Sequence, residues 1–148
     1  MLCWPSSTIS TGQADRPGLT QPSMPKADRP LGADRLPAPL RGEIWQARLP
    51  RAVGQHFAVI LTRSALVARF SAVSAVLLTT SDGPPSTHIQ IDGAELGLPA
   101  DLCRANCADV WRIERGQLAQ RRAQLHPATL KKIDKAVMYY MGFADDPL

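Results

Sequence analysis

The segments HFAVILT (residues 56–62) and AVSAVLLTT (residues 72–80) decide the fold of this chain. Both are continuous apolar runs that are rich in β-branched residues, and both have the length of a single strand. Runs of this kind, without polar alternation, are typical of strands that are covered on both faces. The sequence therefore predicts two buried β-strands here.

Segments on either side of these runs alternate between apolar and polar residues. GEIWQARL (42–49) and THIQID (87–92) show the alternation most clearly, which predicts two half-buried strands. Two more strands are expected near residues 105–114 and 119–125. Loops are expected where Gly and Pro cluster, at 81–86 and 92–101.

Only the end of the chain is predicted to be helical. Pro127 suits a first helical position, and Gly142 suits a helix terminator. Between them, apolar residues recur at spacings of three and four on one face, while lysines occupy the other; the apolar positions are Leu130, Ile133, Val137 and Met141. Five or six strands and a closing helix predict a mainly β fold with a C-terminal helix (α+β), either a small β-barrel or a strongly bent sheet.

The first forty residues have a different composition from the rest. They hold seven of the 13 prolines, repeat the phrase ADRP or ADRL three times, and contain no Phe or Tyr. Such a segment buries too little apolar surface to offset the entropy lost on ordering it. We predict a disordered Pro-rich N-terminal tail over residues 1–40, one domain over 41–143 and a short C-terminal tail over 144–148.

Targeting features and cysteine usage point to one compartment. The opening MLCWPSSTIS lacks the basic start and apolar run of a signal peptide, and no segment has the roughly 18 apolar residues of a membrane span. An odd count of three cysteines fits reduced thiols. Cys103 and Cys107 form at most half of a zinc site, so no metal site is predicted. We expect a cytoplasmic protein with no membrane contact.

The basic residues are unevenly distributed. The chain carries 17 Lys and Arg against 13 Asp and Glu, and residues 44–81 contain four arginines and no acidic residue. Such a bias would give one face a positive potential that attracts phosphate. Separate, solvated arginines explain the same composition, so composition alone leaves both interpretations open.

The order of these features resembles the MazF/PemK family of growth-inhibiting toxins. The resemblance covers residues 41–143 and rests on six segments in order: RGEIWQARLP, LTRSAL, AVLLTTS, THIQI, GLPAD and LHPATLKKIDKAVMYYMGF. It implies an SH3-like small β-barrel that forms a homodimer and cleaves single-stranded RNA (mRNA) without a metal or other cofactor. It also implies inhibition by an acidic antitoxin and contact with operator DNA through the toxin–antitoxin complex.

The resemblance also implies site residues. Family members usually carry an Arg-Pro pair at the start of the second strand and a Thr at the end of the third. The Thr falls on Thr79, and the Arg-Pro pair falls on His56-Phe57, so the family arginine is missing. We predict catalytic roles for His56 and Thr79, and RNA contacts from five residues: Arg48, Arg51, Gln55, Arg63 and Thr80.

The segment CRANCADVWRIER (103–115) departs from the family as well. Cys103, Asn106 and Asp109 resemble a family stretch if one extra residue is placed near Leu102, but Trp111 stands where some members have another arginine. The two departures favour a second hypothesis, a weakened member that binds nucleic acid or antitoxin without cleaving. A generic SH3-like interaction module is a third hypothesis, but it leaves the arginine-rich segment unexplained.

The requirements of RNA cleavage decide which roles of the missing arginine a histidine can take over. Metal-free RNA cleavage needs a base for the ribose 2′-hydroxyl, an acid for the leaving 5′-oxygen and positive charge for the phosphorane. A histidine, whose unperturbed pKa is about 6.5, exchanges protons near neutrality but supplies little charge when neutral. A site built on His56 would therefore take its positive charge from Arg48, Arg51 or Arg63.

Each candidate residue also has a structural explanation. His56 could be an ordinary histidine that bonds a backbone carbonyl, and Thr79 could be present because Thr is a good strand former. Trp45 is expected in the core, whereas Trp111 either packs or stacks on a base. His88 is expected to face solvent, with RNA contact as the alternative, and His126 is expected to cap the start of the final helix.

Overall fold

The computed structural model of this chain describes residues 38–50 and 56–145. Within these ranges lie six strands and two α-helices: β1 (Glu43–Ala47), β2 (His56–Ile60), α1 (Ser64–Val67), β3 (Ala72–Thr79), β4 (His88–Gln90), β5 (Arg104–Glu114), β6 (Leu118–Gln124) and α2 (Pro127–Tyr140). A short 3-10 helix (Arg115–Gln117) connects β5 and β6. The predicted tail over 1–40, apart from its last three residues, lies outside the described part, as do Arg51, Gln55 and residues 146–148.

The six strands form one antiparallel sheet in the order β4-β5-β3-β2-β1-β6. This confirms the mainly β fold with a C-terminal helix, although the described part of the sheet is not closed into a barrel: β4 and β6 are its edges. The two continuous apolar runs became β2 and β3, which pair in the middle of the sheet.

Apolar side chains cover both faces of the sheet. On one face Ile44, Phe57 and Val59 pack with α2, and on the other Trp45 and Ala58 belong to a separate cluster. We call these the helix-side core and the opposite core. The half-buried prediction for β1 is therefore wrong, because its two faces contribute to different cores, whereas the prediction that Trp45 is a core residue is confirmed at 1% exposure.

Helix α2 begins where its sequence predicted. Pro127 occupies the first turn, and the His126 imidazole Nδ1 accepts a hydrogen bond from the Ala128 N–H at 3.2 Å, which confirms the capping role. The helix ends before Gly142, whose φ of +79° suits a residue without a side chain. Met141 does not extend the buried stripe, since it lies past the last helical residue and is 50% exposed.

Among the described residues, one carboxylate is buried. Glu43 accepts hydrogen bonds from the Leu40 N–H and the Trp45 indole N–H, both at 2.9 Å, and from Arg121 Nε at 2.6 Å. Burial raises the pKa of Glu43, but these donors and the Arg121 charge outweigh burial and hold the pKa below its ordinary value. Glu43 thereby ties the start of β1 to the edge strand β6.

No helix in the described ranges is long and apolar enough to span a membrane.

Candidate functional site

The pairing of four strands aligns four polar residues across the sheet. Ala58 of β2 pairs with Leu77 of β3, and the same register continued by two residues sets His56 opposite Thr79. Thr79 pairs with Arg104 of β5, and Arg104 pairs with Gln90 of β4. Directly paired residues project to the same face of a sheet. We call His56, Thr79, Arg104 and Gln90 the polar row.

A cleft of about 370 Å³ opens beside this row. It contains an imidazole, two hydroxyls, an amide and a carboxylate among apolar side chains; the lining residues are His56, Leu77, Leu78, Thr79, Thr80, Leu102, Asn106, Asp109 and Trp111. A concave apolar surface with a few convergent polar groups is the usual form of a binding site. We call it the His56 cleft.

An irregularity in β5 brings Asp109 to this cleft. Leu77 pairs with Asn106, but the preceding Val76 pairs with Val110, so residues 107–109 have no partner on β3. The Asn106 side chain accepts a hydrogen bond from the Ala108 N–H at 3.1 Å and supports the irregular segment. A bulge of this kind re-aims side chains relative to a regular strand, and here it adds a carboxylate to the cleft.

His56 and Thr79 are both partly exposed at the cleft. The Nε2 atom of His56 is buried and has no hydrogen-bond partner among the described residues. The Thr79 Oγ1 accepts a hydrogen bond from the Ser81 N–H at 3.0 Å, which fixes the hydroxyl oxygen and leaves its hydrogen free to donate. The cleft thus offers one imidazole and one oriented hydroxyl from neighbouring strands.

The predicted RNA-contact residues are distributed over the molecule. Thr80 lines the His56 cleft. Arg48 is exposed and directly follows Ala47, the last residue of β1 and the strand partner of His56. Its backbone N–H donates a hydrogen bond to the Gln117 carbonyl. Arg63 precedes α1 at the opposite end of β2 and does not line the cleft. Arg51 and Gln55 lie outside the described residues.

The arginine closest to Thr79 in the sheet register was not predicted. The Arg104 guanidinium forms an ion pair with Asp82, in the loop between β3 and β4. The same loop crosses the ring of His88, because a Cβ added at Gly83 would overlap that imidazole. His88 also bonds the Thr87 hydroxyl at 3.0 Å. His88 is therefore half-buried beneath the loop, and the expectation that it faces solvent is wrong.

Sequence reasoning identified part of this site and missed part. The sequence indicates only that Asn106 and Asp109 belong to a segment that resembles the family, and the structure adds that both line the cleft. Trp111 packs against the opposite core and also lines the cleft, so both of its predicted alternatives remain open. Arg104 carried no usable signal, since its neighbour Thr79 is 25 positions away in the chain.

The described ranges contain no group of three or more His, Cys, Asp or Glu side chains that could hold a metal ion. Cys107 is fully buried in the helix-side core, and Cys103 is partly exposed. Burial, with the nearby Asp134 carboxylate, raises the pKa of the Cys107 thiol to about 12. That thiol therefore stays protonated and suits packing better than ligation.

A second cleft, of about 330 Å³, lies at the other end of β3. We call it the Phe70 cleft; it is lined by Thr62, Phe70, Ser71, Ala72, Val73, Ser74 and Arg112. Arg112 is 71% exposed and forms an ion pair with Glu114. No imidazole or carboxylate belongs to the lining of this cleft.

Comparison with known proteins adds a family and several similar folds. A family model described as PemK-like, MazF-like toxin of type II toxin-antitoxin system matches residues 40–141. No curated protein sequence matches at a significant level.

Three solved structures each superpose with a TM-score of 0.61. An endoribonuclease from a mycobacterial species is 24% identical, with 73% of this chain and 95% of that chain covered. A mycobacterial endoribonuclease in complex with its cognate antitoxin is 25% identical, with 72% and 98% covered. A MazE–MazF structure from Deinococcus radiodurans is 17% identical, with 73% and 100% covered.

Proposed function

This chain belongs to the PemK-like, MazF-like toxin family of type II toxin–antitoxin systems, and we propose that it is an endoribonuclease that cleaves single-stranded RNA in its His56 cleft. The observation that carries the proposal is the shared cleft of His56 and Thr79, the two positions on which the family resemblance places an arginine and a threonine. Solved structures of similar fold include proteins named as endoribonucleases.

The residues of the cleft divide the work of metal-independent cleavage. The His56 imidazole, in its neutral form, takes the proton of the ribose 2′-hydroxyl, which then attacks the adjacent phosphorus. The Thr79 hydroxyl donates a hydrogen bond to a non-bridging phosphate oxygen and orients the phosphate for in-line attack. Cleavage of the P–O5′ bond leaves a 2′,3′-cyclic phosphate on one fragment; a water molecule protonates the leaving 5′-oxygen, and the imidazolium returns its proton to solvent. Asp109 is the second titratable group in the cleft lining.

The remaining proposals concern partners. The antitoxin complexes among the similar structures support a cognate acidic antitoxin as the inhibitor of this chain, because an acidic segment complements a domain with an acid-free, arginine-containing stretch. From the family resemblance we further propose a homodimer, mRNA as the RNA substrate, and operator DNA contact through the toxin–antitoxin complex. Arg48, Arg51, Gln55, Arg63 and Thr80 are proposed as RNA contacts outside the catalytic pair.

Cleavage of unmodified single-stranded RNA by the purified protein, with and without EDTA, tests the proposal. We expect the same rate in both conditions and fragments that end in a 2′,3′-cyclic phosphate. A rate that collapses in EDTA and returns with a divalent cation would contradict the metal-independent mechanism. Intact RNA in both conditions would contradict the nuclease itself.

One observation favours the alternative function, a weakened member that binds nucleic acid or antitoxin without cleaving. No described arginine lines the His56 cleft, so the lining supplies no positive charge beside the proposed catalytic pair. The His56→Arg variant separates the two functions. If it cleaves faster than the natural protein, the histidine is a weakened substitute; if it cleaves more slowly, the imidazole has its own catalytic role.

A further inference from the structure

We propose that Arg104 is the phosphate-binding cation of the His56 cleft and that Asp82 occupies its guanidinium until a substrate phosphate displaces it. The inference rests on the proposed RNA substrate and adds a residue that the resemblance to the family does not point to. It starts from the polar row, in which Arg104 is the direct cross-strand partner of Thr79.

The site needs a positive charge that its lining lacks. A phosphorane carries more negative charge than the phosphate from which it forms, and a neutral imidazole does not balance it. His56 stands where the family has an arginine, and no described arginine belongs to the cleft lining. A guanidinium at Arg104, one strand beyond Thr79 on the same face, supplies the charge from the opposite side of the threonine hydroxyl.

Arg104 lies in the polar row, one strand beyond Thr79. Gln90 and Thr79 flank it on the two neighbouring strands, so the side chain stands within the polar row. Its side chain is 32% exposed, so part of it is accessible to a ligand. Arg104 is therefore positioned to bind a phosphate that also accepts a hydrogen bond from Thr79.

The Asp82 carboxylate is a partner that a competing anion can displace from Arg104. The Asp82 side chain is 89% exposed and the Arg104 side chain 32%, so solvent reaches the ion pair from the Asp82 side. Exposed ion pairs contribute little net stability, and breaking one takes little free energy. The loop that carries Asp82 is held by the close passage of Gly83 over His88 and by hydrogen bonds from the Thr87 and His88 N–H groups to the Pro84 carbonyl.

A phosphate is the stronger competitor for this guanidinium. Arginine binds phosphate oxygens through two parallel N–H donors, and such charge-assisted bonds exceed a single exposed carboxylate contact. When RNA enters, a phosphate oxygen replaces the Asp82 carboxylate on Arg104 while the loop remains anchored at Gly83. The carboxylate thus weakens binding of RNA and of other anions to the empty site.

A binding experiment with uncleavable RNA tests Arg104 separately from catalysis. The probe is a short single-stranded 2′-O-methyl RNA of mixed sequence, which has no free 2′-hydroxyl, and affinity is measured by fluorescence anisotropy over a range of salt concentrations. We expect Arg104→Ala to weaken binding about tenfold, because one charge-assisted hydrogen bond to the phosphate is lost. We also expect the slope of log affinity against log salt to fall by about 0.7, the value for one phosphate contact on a single strand.

Arg112→Ala is the matched control. Arg112 lies on the same strand and also pairs with a carboxylate, but its cross-strand partner Ser74 is five residues from Thr79, roughly 17 Å along β3. The control should leave the affinity and the salt slope unchanged. Equal effects of the two variants, or no effect of Arg104→Ala, would overturn the assignment, and so would an absence of RNA binding by the natural protein.

The Asp82→Asn variant tests the competition. We expect about threefold tighter binding at low salt, since removal of an exposed opposing charge has a small and screened effect. Glu114→Gln, which removes the partner of Arg112, should not change binding. Weaker binding by Asp82→Asn would mean that Asp82 positions the arginine, which contradicts displacement. Circular dichroism spectra of all four variants exclude unfolding as the cause.

Parallel cleavage assays keep this inference distinct from the proposed function. If the natural protein binds the 2′-O-methyl RNA through Arg104 but leaves unmodified RNA intact, the nuclease proposal fails and the phosphate site stands. If the natural protein and Arg104→Ala cleave and bind RNA equally well, the nuclease stands and the phosphate site fails.

Discussion

The two clefts of this sheet have similar volumes, about 370 and 330 Å³, but different chemistry. The His56 cleft contains an imidazole, an oriented hydroxyl and a carboxylate that come from three different strands. The Phe70 cleft contains hydroxyls and one arginine that already has a carboxylate partner. Volume therefore does not distinguish the two sites, whereas the titratable groups do.

The difference arises from how β3 meets its neighbours. At the Thr79 end, the register with β2 and β5 aligns polar side chains, and the bulge in β5 adds Asp109. At the Ser74 end, β3 pairs regularly with β5 and continues from the segment after α1. One strand thus supports a chemically equipped cleft at one end and an ordinary surface groove at the other.

Replacement of His56 should have the largest effect. Loss of a general base lowers rates by about 10²- to 10⁴-fold, and we expect His56→Ala to lower kcat/KM for RNA cleavage by about a thousandfold. His126→Asn is the matched control, because it changes a histidine that lines neither cleft and keeps a capping acceptor. A His56→Ala protein that cleaves RNA at the natural rate would remove the basis for distinguishing the clefts.

Replacement of Thr79 should have the next effect. Thr79→Val removes the hydroxyl that orients the phosphate, and we expect kcat/KM to fall about a hundredfold. Thr79→Ser keeps the hydroxyl and its bond to the Ser81 N–H, and should restore most of the activity. Ser74→Ala, at the other end of the same strand, should be neutral. Equal losses in Thr79→Val and Thr79→Ser would mean that packing, not the hydroxyl, matters at this position.

The extent to which the sequence predicted these features follows from how local each one is. The apolar runs that became β2 and β3, and the Pro127 start and Gly142 end of α2, depend on a few adjacent residues, and these predictions are confirmed. The strand count predicted either a small β-barrel or a strongly bent sheet, and the family resemblance implied an SH3-like barrel. Closure depends on how the edge strands meet, and in the described part they do not pair.

The candidate site depends on contacts that a sequence does not display. Arg104 and Thr79 become neighbours only through the β3–β5 register, and Asp109 reaches the cleft only because that register shifts at Val76. The burial of Glu43 likewise depends on Arg121, 78 positions later in the chain. The predictions for His56 and Thr79 used family resemblance, which carries such long-range information indirectly.

Replacement of Glu43 should change the stability of the fold without changing the activity of the cleft. Glu43→Gln should destabilise the fold by about 2 kcal/mol, since charge-assisted hydrogen bonds in a buried site are lost. It should leave kcat/KM unchanged at temperatures where the protein remains folded. Glu95→Gln, an exposed loop residue, should change neither quantity. Urea denaturation and the cleavage assay measure the two effects independently.

The lowered pKa of Glu43 also predicts the direction of a pH effect. The ionised carboxylate stabilises the fold fully above the unfolded glutamate pKa of about 4.3, and this contribution is lost as pH falls through the lower pKa of the folded state. Between pH 7 and pH 3 the natural protein should therefore lose more stability than Glu43→Gln. Parallel losses in the two proteins would show that the hydrogen bonds to Glu43 do not favour its charged form.

The last prediction concerns the reactivity of two cysteines, one at the border of the His56 cleft and one in the core. Burial raises the pKa of Cys107 to about 12, so its thiolate is scarce at pH 8 and reagents cannot reach it. Cys103 is partly exposed next to Leu102, which lines the His56 cleft. Iodoacetamide should therefore modify Cys103 and leave Cys107 unmodified in the folded protein, as read by peptide mass mapping, with a urea-unfolded sample as the control. Modification of Cys107 at the rate of Cys103 would mean that the helix-side core opens readily, and a core that opens could not hold the strand register on which the His56 cleft depends.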